Sequence, residues 1–294
     1  MSKIYEIGLG AGMAKAAKDI DPNALDTVSI VEVGSLTLNE SKGNPEPTSH
    51  WDEENQAGYN SIGLKNMGIA ALFAVEAPKI ARLFVAKHAT LDLSLAPKEP
   101  GDLAKMMTVV RTNHSVLPIR YLIVNGACPN KWKNGEQQAI TSHDPAATRV
   151  LLEEARGCPF DLGYKIAPDT PLPVQEQLVD ICYELGVKIL VSGNTRGVDT
   201  PIGPNGKPVI SQPRCGQSGA PLFAGSVSQV ASLRRIIDDK GDGMRLSGMG
   251  GVLNAEHAHS MFDAGADDVR VASLFYFCGG WKAVTKLAAA VHLS

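Results

Sequence analysis

An α/β fold closed into a (β/α)8 barrel of the TIM type is what this chain predicts. It reads as one domain over residues 1–294, with long insertions on the C-terminal face of the strands. Three observations carry the prediction. Eight short apolar runs recur along the sequence. A longer stretch with helical spacing follows each of them. Polar residues collect at the C-terminal ends of many runs, where barrels of this kind build their sites. A doubly wound open sheet is the competing architecture, and the even count of runs favours the closed one.

The runs are "IYEIGLG" (4–10), "VSIVEVG" (28–34), "LDLSLA" (91–96), "IRYLIVNG" (119–126), "DLGYKIA" (161–167), "VKILVSG" (187–193), "GMRLSG" (243–248) and "DDVRVAS" (267–273). They are rich in Val, Ile and Leu. They read as lacking the polar alternation of a sheet with one wet face, which is the pattern of strands covered on both sides. Between them, "DPAATRVLLEEAR" opens with Asp144 as N-cap and Pro145 at the first helical position. "PLPVQEQLVDICYELG" ends on Gly186, a C-cap residue. "VSQVASLRRIIDDKG" and "NAEHAHSMFDAG" follow the same logic. Residues 35–62 and 197–216 are too long and too rich in Gly, Pro and Asn for simple turns. Both follow expected barrel strands, so both should lie on the face that carries the site.

Composition excludes several classes. A chain with 44% hydrophobic and 20% charged residues can bury a full core. Its net charge of -3 is mixed along the sequence, with no basic stripe for nucleic acid. The first apolar run is broken by Glu6 and Gly8, unlike a signal peptide. No apolar stretch nears the roughly 18 residues that span a bilayer. Five widely spaced cysteines without a CxxC point to reduced thiols in the cytoplasm, not to a disulfide frame or a metal site.

The strand ends carry the chemistry. "SGMGGV" (247–252) brings glycines to the end of the seventh run, and "ASLF" (272–275) ends the eighth. Backbone N–H groups in such turns can cradle a phosphate, although glycines also make plain tight turns. Lys165 closes the fifth run and would stabilise negative charge beside such a site. Asn60, Asn125, Asn130 and Asn194 all sit at or just past strand ends. Turns explain any one of them, but four at one mouth suit a heterocycle with alternating C=O and N–H groups. Cys128 stands between two of these amides, ahead of Pro129. It is a candidate nucleophile or general base; with no histidine near it in sequence, the base is favoured.

In that order the motifs resemble the dihydroorotate dehydrogenase family over nearly the whole chain. "GLGAGMAK" resembles the family's "GLAAGFDK", and "VEVGSLTLNESKGNPEPT" resembles "VEVGTVTP…GNPEPR". "NSIGLKNMG" resembles "NSMGLPNLG", "VNGACPN" resembles "LNLSCPN", and "KIAPD" resembles "KIAPDL". "GNTRG" stands where one branch has "TNTT", "GQSGAPL" resembles "GGLSGAPL", and "SGMGGV" resembles "IGVGGI". "GNPEP" followed by "NSxGLxNxG" is the specific part; many barrels share the glycine motifs.

The resemblance implies an FMN-dependent oxidation of dihydroorotate to orotate in pyrimidine biosynthesis. It places the FMN phosphate at Gly250, Gly251, Ala272 and Ser273, and the ring edge at Lys165. Ala11, Gly12, Ser35, Asn125, Ser218 and Gly219 would line the cofactor. The substrate would meet Asn60, Asn125, Asn130, Asn194 and Thr195, with its carboxylate on Lys15 and the backbone at Gly63 and Leu64. Cys128 would be the base, as in the family's soluble branch, which passes electrons to fumarate or to a partner flavoprotein. A homodimer without membrane attachment is expected on the same ground. The sequence begins almost at the first strand, which on this reading leaves no quinone tunnel. Lys15 nevertheless follows the quinone-linked pattern, whereas the soluble branch places its lysine where this chain has Gly34. Gly126, Ala127, Arg196 and Gln217 depart from the family near the substrate end. They raise the alternative of a related flavin oxidoreductase for a different pyrimidine or similar small substrate. Arg196 itself is expected to alter anion handling at the mouth. A flavin-free phosphate-binding barrel is the third reading.

Overall fold

The computed structural model describes residues 5–130, 132–133, 136–241 and 243–292. Eight parallel strands close into a barrel. They are β1 (Glu6–Ala14), β2 (Ile30–Leu36), β5 (Thr90–Leu95), β6 (Ile119–Asn125), β9 (Asp161–Ile166), β10 (Ile189–Ser192), β13 (Arg245–Met249) and β14 (Asp268–Val271). Each expected run contributes one of them, and Ile4 of the first run lies outside the described residues. Neighbours in the barrel follow chain order, and β1 pairs with both β2 and β14 to close it.

The crossovers are helical after β2. A short α1 (Ile69–Ala71) runs through a π-turn at Leu72–Glu76 into α2 (Ala77–Leu83). Then come α3 (Asp102–Thr112), α4 (Pro145–Glu153), α5 (Leu172–Glu184), α6 (Phe223–Asp239), α7 (Ala255–Asp263), α8 (Ser273–Cys278) and α9 (Gly280–His292). The Asp144 carboxylate accepts from the N–H groups of Ala146 and Ala147, capping α4 as its sequence predicts. Gly186 follows α5 with φ +73°, the left-handed turn that glycine takes freely. The β1–β2 connection differs: it holds only two 3-10 turns, Ala17–Asp19 and Ala24–Asp26. Pro22 interrupts any longer helix there. The last helix, α9, packs on β1 and α7 and covers that side.

The main apolar core lies between the barrel and its helices. The interior differs from the sequence expectation. Inside the barrel, Glu32, Asp92, Ser94, Lys165, Ser247, Asp268 and Arg270 are all buried, and a separate apolar cluster holds only Tyr121, Ile123, Ile189 and Val191. The strands do alternate: "VEV", "LDLSL" and "VRV" turn apolar residues to the helices and polar ones inward.

The two long insertions meet. Residues 35–62 form β3 (Ser49–Asp52) and β4 (Ala57–Asn60), while residues 197–216 hold most of β11 (Arg196–Asp199) and the start of β12 (Arg214–Gly219). The four pair as one antiparallel sheet in the order β11–β12–β4–β3, contributing Asn60 and Ser218 to the mouth of the barrel. A small ribbon, β7 (Trp132–Lys133) with β8 (Glu136–Gln137), follows β6.

Candidate active site

One cleft at the C-terminal mouth gathers the predicted residues. It encloses about 980 Å³, the open solvent at its mouth included. Its wall contains Ala11 and Gly12 on β1, Lys15 just past it, Ser35 on β2, Asn60 on β4, and Gly63 and Leu64 beyond it. Asn125, Cys128 and Asn130 come from β6 and its loop, Lys165 from β9, and Asn194 and Thr195 from the end of β10. Ser218, Gly250, Gly251, Ala272 and Ser273 complete the set. Gly219 is off the wall. A Cβ there would lie 2.2 Å from the Gln56 carbonyl oxygen, so this glycine lets β12 pass close to that backbone.

Strand register sets the polar residues side by side. Asn125 lies against Lys165 across β6 and β9. The Asn125 amide donates to Ser35 Oγ at 2.9 Å, and Asn194 donates to Asn125 Oδ1 at 3.3 Å. The other two carboxamides also pair, Asn130 Nδ2 donating to Asn60 Oδ1 at 3.0 Å. Asn130 Oδ1 and Thr195 Oγ1 are buried with no hydrogen-bond partner among the described residues. Buried polar atoms are rarely left so, and both belong to the cleft wall.

The loop bearing Gly63 and Leu64 is bent by left-handed residues at φ +71° and +56°. Asn44, from the "GNPEP" segment, braces it by donating to the Ser61 carbonyl at 2.9 Å. The same loop supplies the Lys65 carbonyl that accepts from Lys15 Nζ at 2.6 Å. Burial lowers the Lys15 ammonium from its ordinary range, opposed by Asp19 and by Cys128. Lys165 is lowered by burial too, with Glu32 and again Cys128 opposing. The Cys128 thiol, only 7% exposed, thus stands within electrostatic reach of two ammonium groups. Sequence offered no histidine beside it; the fold brings two ammonium groups, one from just past β1 and one from β9.

Under Lys165 lies a charged layer that the sequence reading missed. Glu32 Oε2 lies 3.9 Å from Lys165 Nζ and 3.3 Å from Arg270 Nη1, and accepts from the Ala11 N–H at 3.1 Å. Burial alone would raise the Glu32 carboxyl, but Lys165, Arg270 and that N–H together hold it low. Arg270, wholly buried, also meets Asp92 and Asp268. Charged residues between apolar neighbours in three strands were the available signal.

The four departures near the substrate end lie outside the cleft wall. A Cβ on Gly126 would sit 2.2 Å from Tyr164 Oη, so the buried Tyr164 occupies that space. Ala127 is fully buried. Arg196 does not line the cleft: its guanidinium donates to Gln217 Oε1 at 2.7 Å, and Gln217 Nε2 faces Tyr59 Oη at 3.4 Å. These three are cross-strand neighbours in the insertion sheet, so they share one face of it.

The family model described as dihydroorotate dehydrogenase matches residues 5–290. A protein of Streptomyces griseus subsp. griseus named dihydroorotate dehydrogenase (quinone) is 31% identical over 277 residues, which covers 92% of this chain and 73% of that one. One of the same name from Mycobacterium ulcerans is 28% identical over 281 residues, covering 93% and 72%. The crystal structure of DHODH in complex with ferulenol from Eimeria tenella superposes with a TM-score of 0.77 at 20% identity, over 98% of this chain and 80% of that one. That likeness supports the barrel fold.

Proposed function

The chain belongs to the dihydroorotate dehydrogenase family, and from that premise we propose that it oxidises dihydroorotate to orotate in pyrimidine biosynthesis, with FMN in the cleft and Cys128 as base. The observation that carries the reading is the meeting of four carboxamides, one thiol and two ammonium groups on a single cleft wall. A dihydropyrimidine offers the alternating C=O and N–H groups that carboxamides match.

The residues present fit FMN. Gly250 and Gly251 turn with φ +126° and +74° and bring backbone to the cleft. Beside Gly250, the buried Ser226 hydroxyl has no partner among the described residues. In this reading Gly250, Gly251, Ala272 and Ser273 hold the phosphate, and Lys165 meets the ring edge. Ala11, Gly12, Ser35, Asn125 and Ser218 line the cofactor, while Gly219 supports the turn from behind. When bound, FMN supplies the acceptor for the hydride that leaves C6 of the substrate.

The chain's own residues do the rest. Asn60, Asn125, Asn130, Asn194 and Thr195 grip the ring, and Lys15 with the backbone at Gly63 and Leu64 takes the carboxylate. Cys128 accepts the proton from C5. Nearby ammonium groups favour a thiolate, the form in which Cys128 can take that proton. Burial of Cys128 and Lys165 keeps bulk water away from the proton transfer.

Two readings of the electron acceptor are in play. The relatives carry the quinone-linked name, and Lys15 follows that branch's pattern, so a quinone is the first reading. Cys128 is the soluble branch's residue and favours fumarate or a partner flavoprotein as the second. Among the described residues no helix is long and apolar enough to cross a membrane.

The test is anaerobic mixing of the FMN-loaded protein with dihydroorotate, followed by quinone, fumarate or NAD. The visible flavin band should bleach with dihydroorotate and return with one acceptor. A flavin that dithionite reduces and dihydroorotate does not would refute the substrate assignment.

A further inference from the structure

We propose that Asp92 stores a proton during turnover: it takes one from the solvent end of the barrel when negative charge collects in the cleft, with Arg270 transmitting the change. The inference rests on the FMN reading above.

The geometry is a ladder of ion pairs through the barrel. Lys165, on the cleft wall, faces Glu32 at 3.9 Å. Glu32 shares Arg270, whose other nitrogens reach Asp92 Oδ2 at 2.8 Å and Asp268 Oδ1 at 3.1 Å. All five side chains are at most 3% exposed. Three acids therefore face two bases in a layer that water does not screen, where an unbalanced charge is costly.

The acids differ in what holds their charge. Glu32 has Lys165, Arg270 and the Ala11 N–H. Asp268 has Arg270, the Ser247 hydroxyl and Arg245. Asp92 has the shared Arg270 and the Tyr121 N–H at 3.2 Å. The charged groups facing it are Arg270 and Arg120, which favour its ionised form, and Asp268 and Glu32, which oppose it. Burial outweighs the cations and raises its carboxyl to about 6. Asp92 is thus the acid of the layer with the fewest groups holding its charge, and the one that burial pushes upward.

Reduction by dihydroorotate leaves added negative charge above Lys165. That charge draws on the Lys165 ammonium and weakens its hold on Glu32. Glu32 then takes a larger share of Arg270, and Asp92 loses the partner that kept it ionised. One solvent proton adds to the Asp92 carboxylate, forming an O–H bond, and leaves again when the electrons pass to the acceptor. The opposite end of the ladder reaches solvent. Arg245 links Asp268 to Glu6, Arg120 lies 3.5 Å from Glu6, and these three side chains are 23–37% exposed.

The experiment is a reduced-minus-oxidised infrared difference spectrum of the FMN-loaded protein near pH 7. Dithionite serves as reductant, so the substrate assignment is not involved. Aspartate labelled with ¹³C at the side-chain carboxyl identifies the residue class. The expected result is a protonated-carboxyl band that grows on reduction, shifts with the label, and is absent in Asp92→Asn. The midpoint potential should also fall more steeply with pH in wild type than in the variant, by up to about 30 mV per unit for one proton per two electrons. If Asp92→Asn does not fold, the labelled wild-type spectrum decides alone. No label-sensitive carboxyl band on reduction overturns the proposal. A protein that binds no FMN overturns both it and the reading it rests on. A protein that binds FMN, shows the band, and ignores dihydroorotate overturns only the substrate assignment.

Discussion

Replacing Lys15 with methionine separates what the cleft needs from what the fold needs. The ammonium donates to the Lys65 carbonyl, and burial lowers its pKa. A lysine lowered in this way binds its proton less tightly folded than unfolded. At neutral pH the charged side chain therefore subtracts from stability, and the penalty fades only as pH rises through the folded pKa. Methionine keeps most of the stem's packing and removes that charge. The Lys65 backbone faces solvent on an exposed residue, so water can replace the lost donor. Stability should hold or rise. Binding should not: a charge-assisted hydrogen bond to a carboxylate contributes about 1.5–3 kcal/mol. At about 1.4 kcal/mol per tenfold, orotate should bind about 10- to 150-fold more weakly. Thermal melts, FMN content and orotate titration by flavin absorbance measure the three quantities. Orotate affinity within about threefold of wild type, a shift worth under about 0.7 kcal/mol, would refute Lys15 as the carboxylate partner.

Four further outcomes follow from the same geometry. Cys128→Ala should bind orotate yet lose about 10²- to 10⁴-fold in flavin reduction at every pH, whereas Cys128→Ser should recover partly at high pH; stopped-flow half-reactions distinguish them. Ser273→Asp puts a carboxylate on the proposed phosphate wall, and equilibrium dialysis should show FMN affinity falling while the apoprotein melts as wild type does. A glycine substitution there is a poorer probe, since a Cβ on Gly250 would sit 2.3 Å from Ser226 Oγ and strain the turn. Gly126→Ala forces Tyr164 from its place against Thr148; overpacking should cost about 1–3 kcal/mol in urea unfolding, with orotate affinity unchanged. Asp92, held at about 6 against an ordinary 3.8, binds its proton more tightly when folded. Its contribution to stability is therefore full below pH 4 and declines to about pH 6, by about 3 kcal/mol at 1.36 kcal/mol per unit, a decline that urea titrations of Asp92→Asn should lack.

The barrel was legible because its signal is repeated: eight runs each yielded a strand, and Asp144, Asn254 and Gly186 stand at helix ends where local chemistry puts them. The cleft residues were legible for a related reason. A residue at the C-terminal end of a barrel strand lies level with the mouth whatever the rest of the chain does, so Asn125 and Lys165 could be placed there from position alone. What lay hidden depends on closure. Glu32 and Lys165 are 133 positions apart and meet only because β2 and β9 face each other across the barrel. The insertion sheet was hidden likewise, because β4 pairs with a strand more than 150 residues later. Short runs such as "AGYN" carry no strand signal of their own.

The departures from the family pattern show where sequence proximity misleads. Gly126 and Ala127 stand two and one positions before Cys128, and Gln217 one before Ser218. Adjacent residues within a strand point to opposite sides, so the strand neighbour of a site residue can face away from the site. Gln217 behaves so: its partners, Arg196 and Tyr59, form a row across β11, β12 and β4, while Ser218 and Asn60 turn to the cleft. Gly126 is explained by Tyr164, a large side chain on the adjacent strand that fills the missing volume. A change of substrate would instead require altered groups on the cleft wall. There the carboxamides, Cys128, Lys15 and Lys165 all remain. The altered positions thus belong to the scaffold around the cleft, and the wall on which the proposed substrate would rest keeps its own groups.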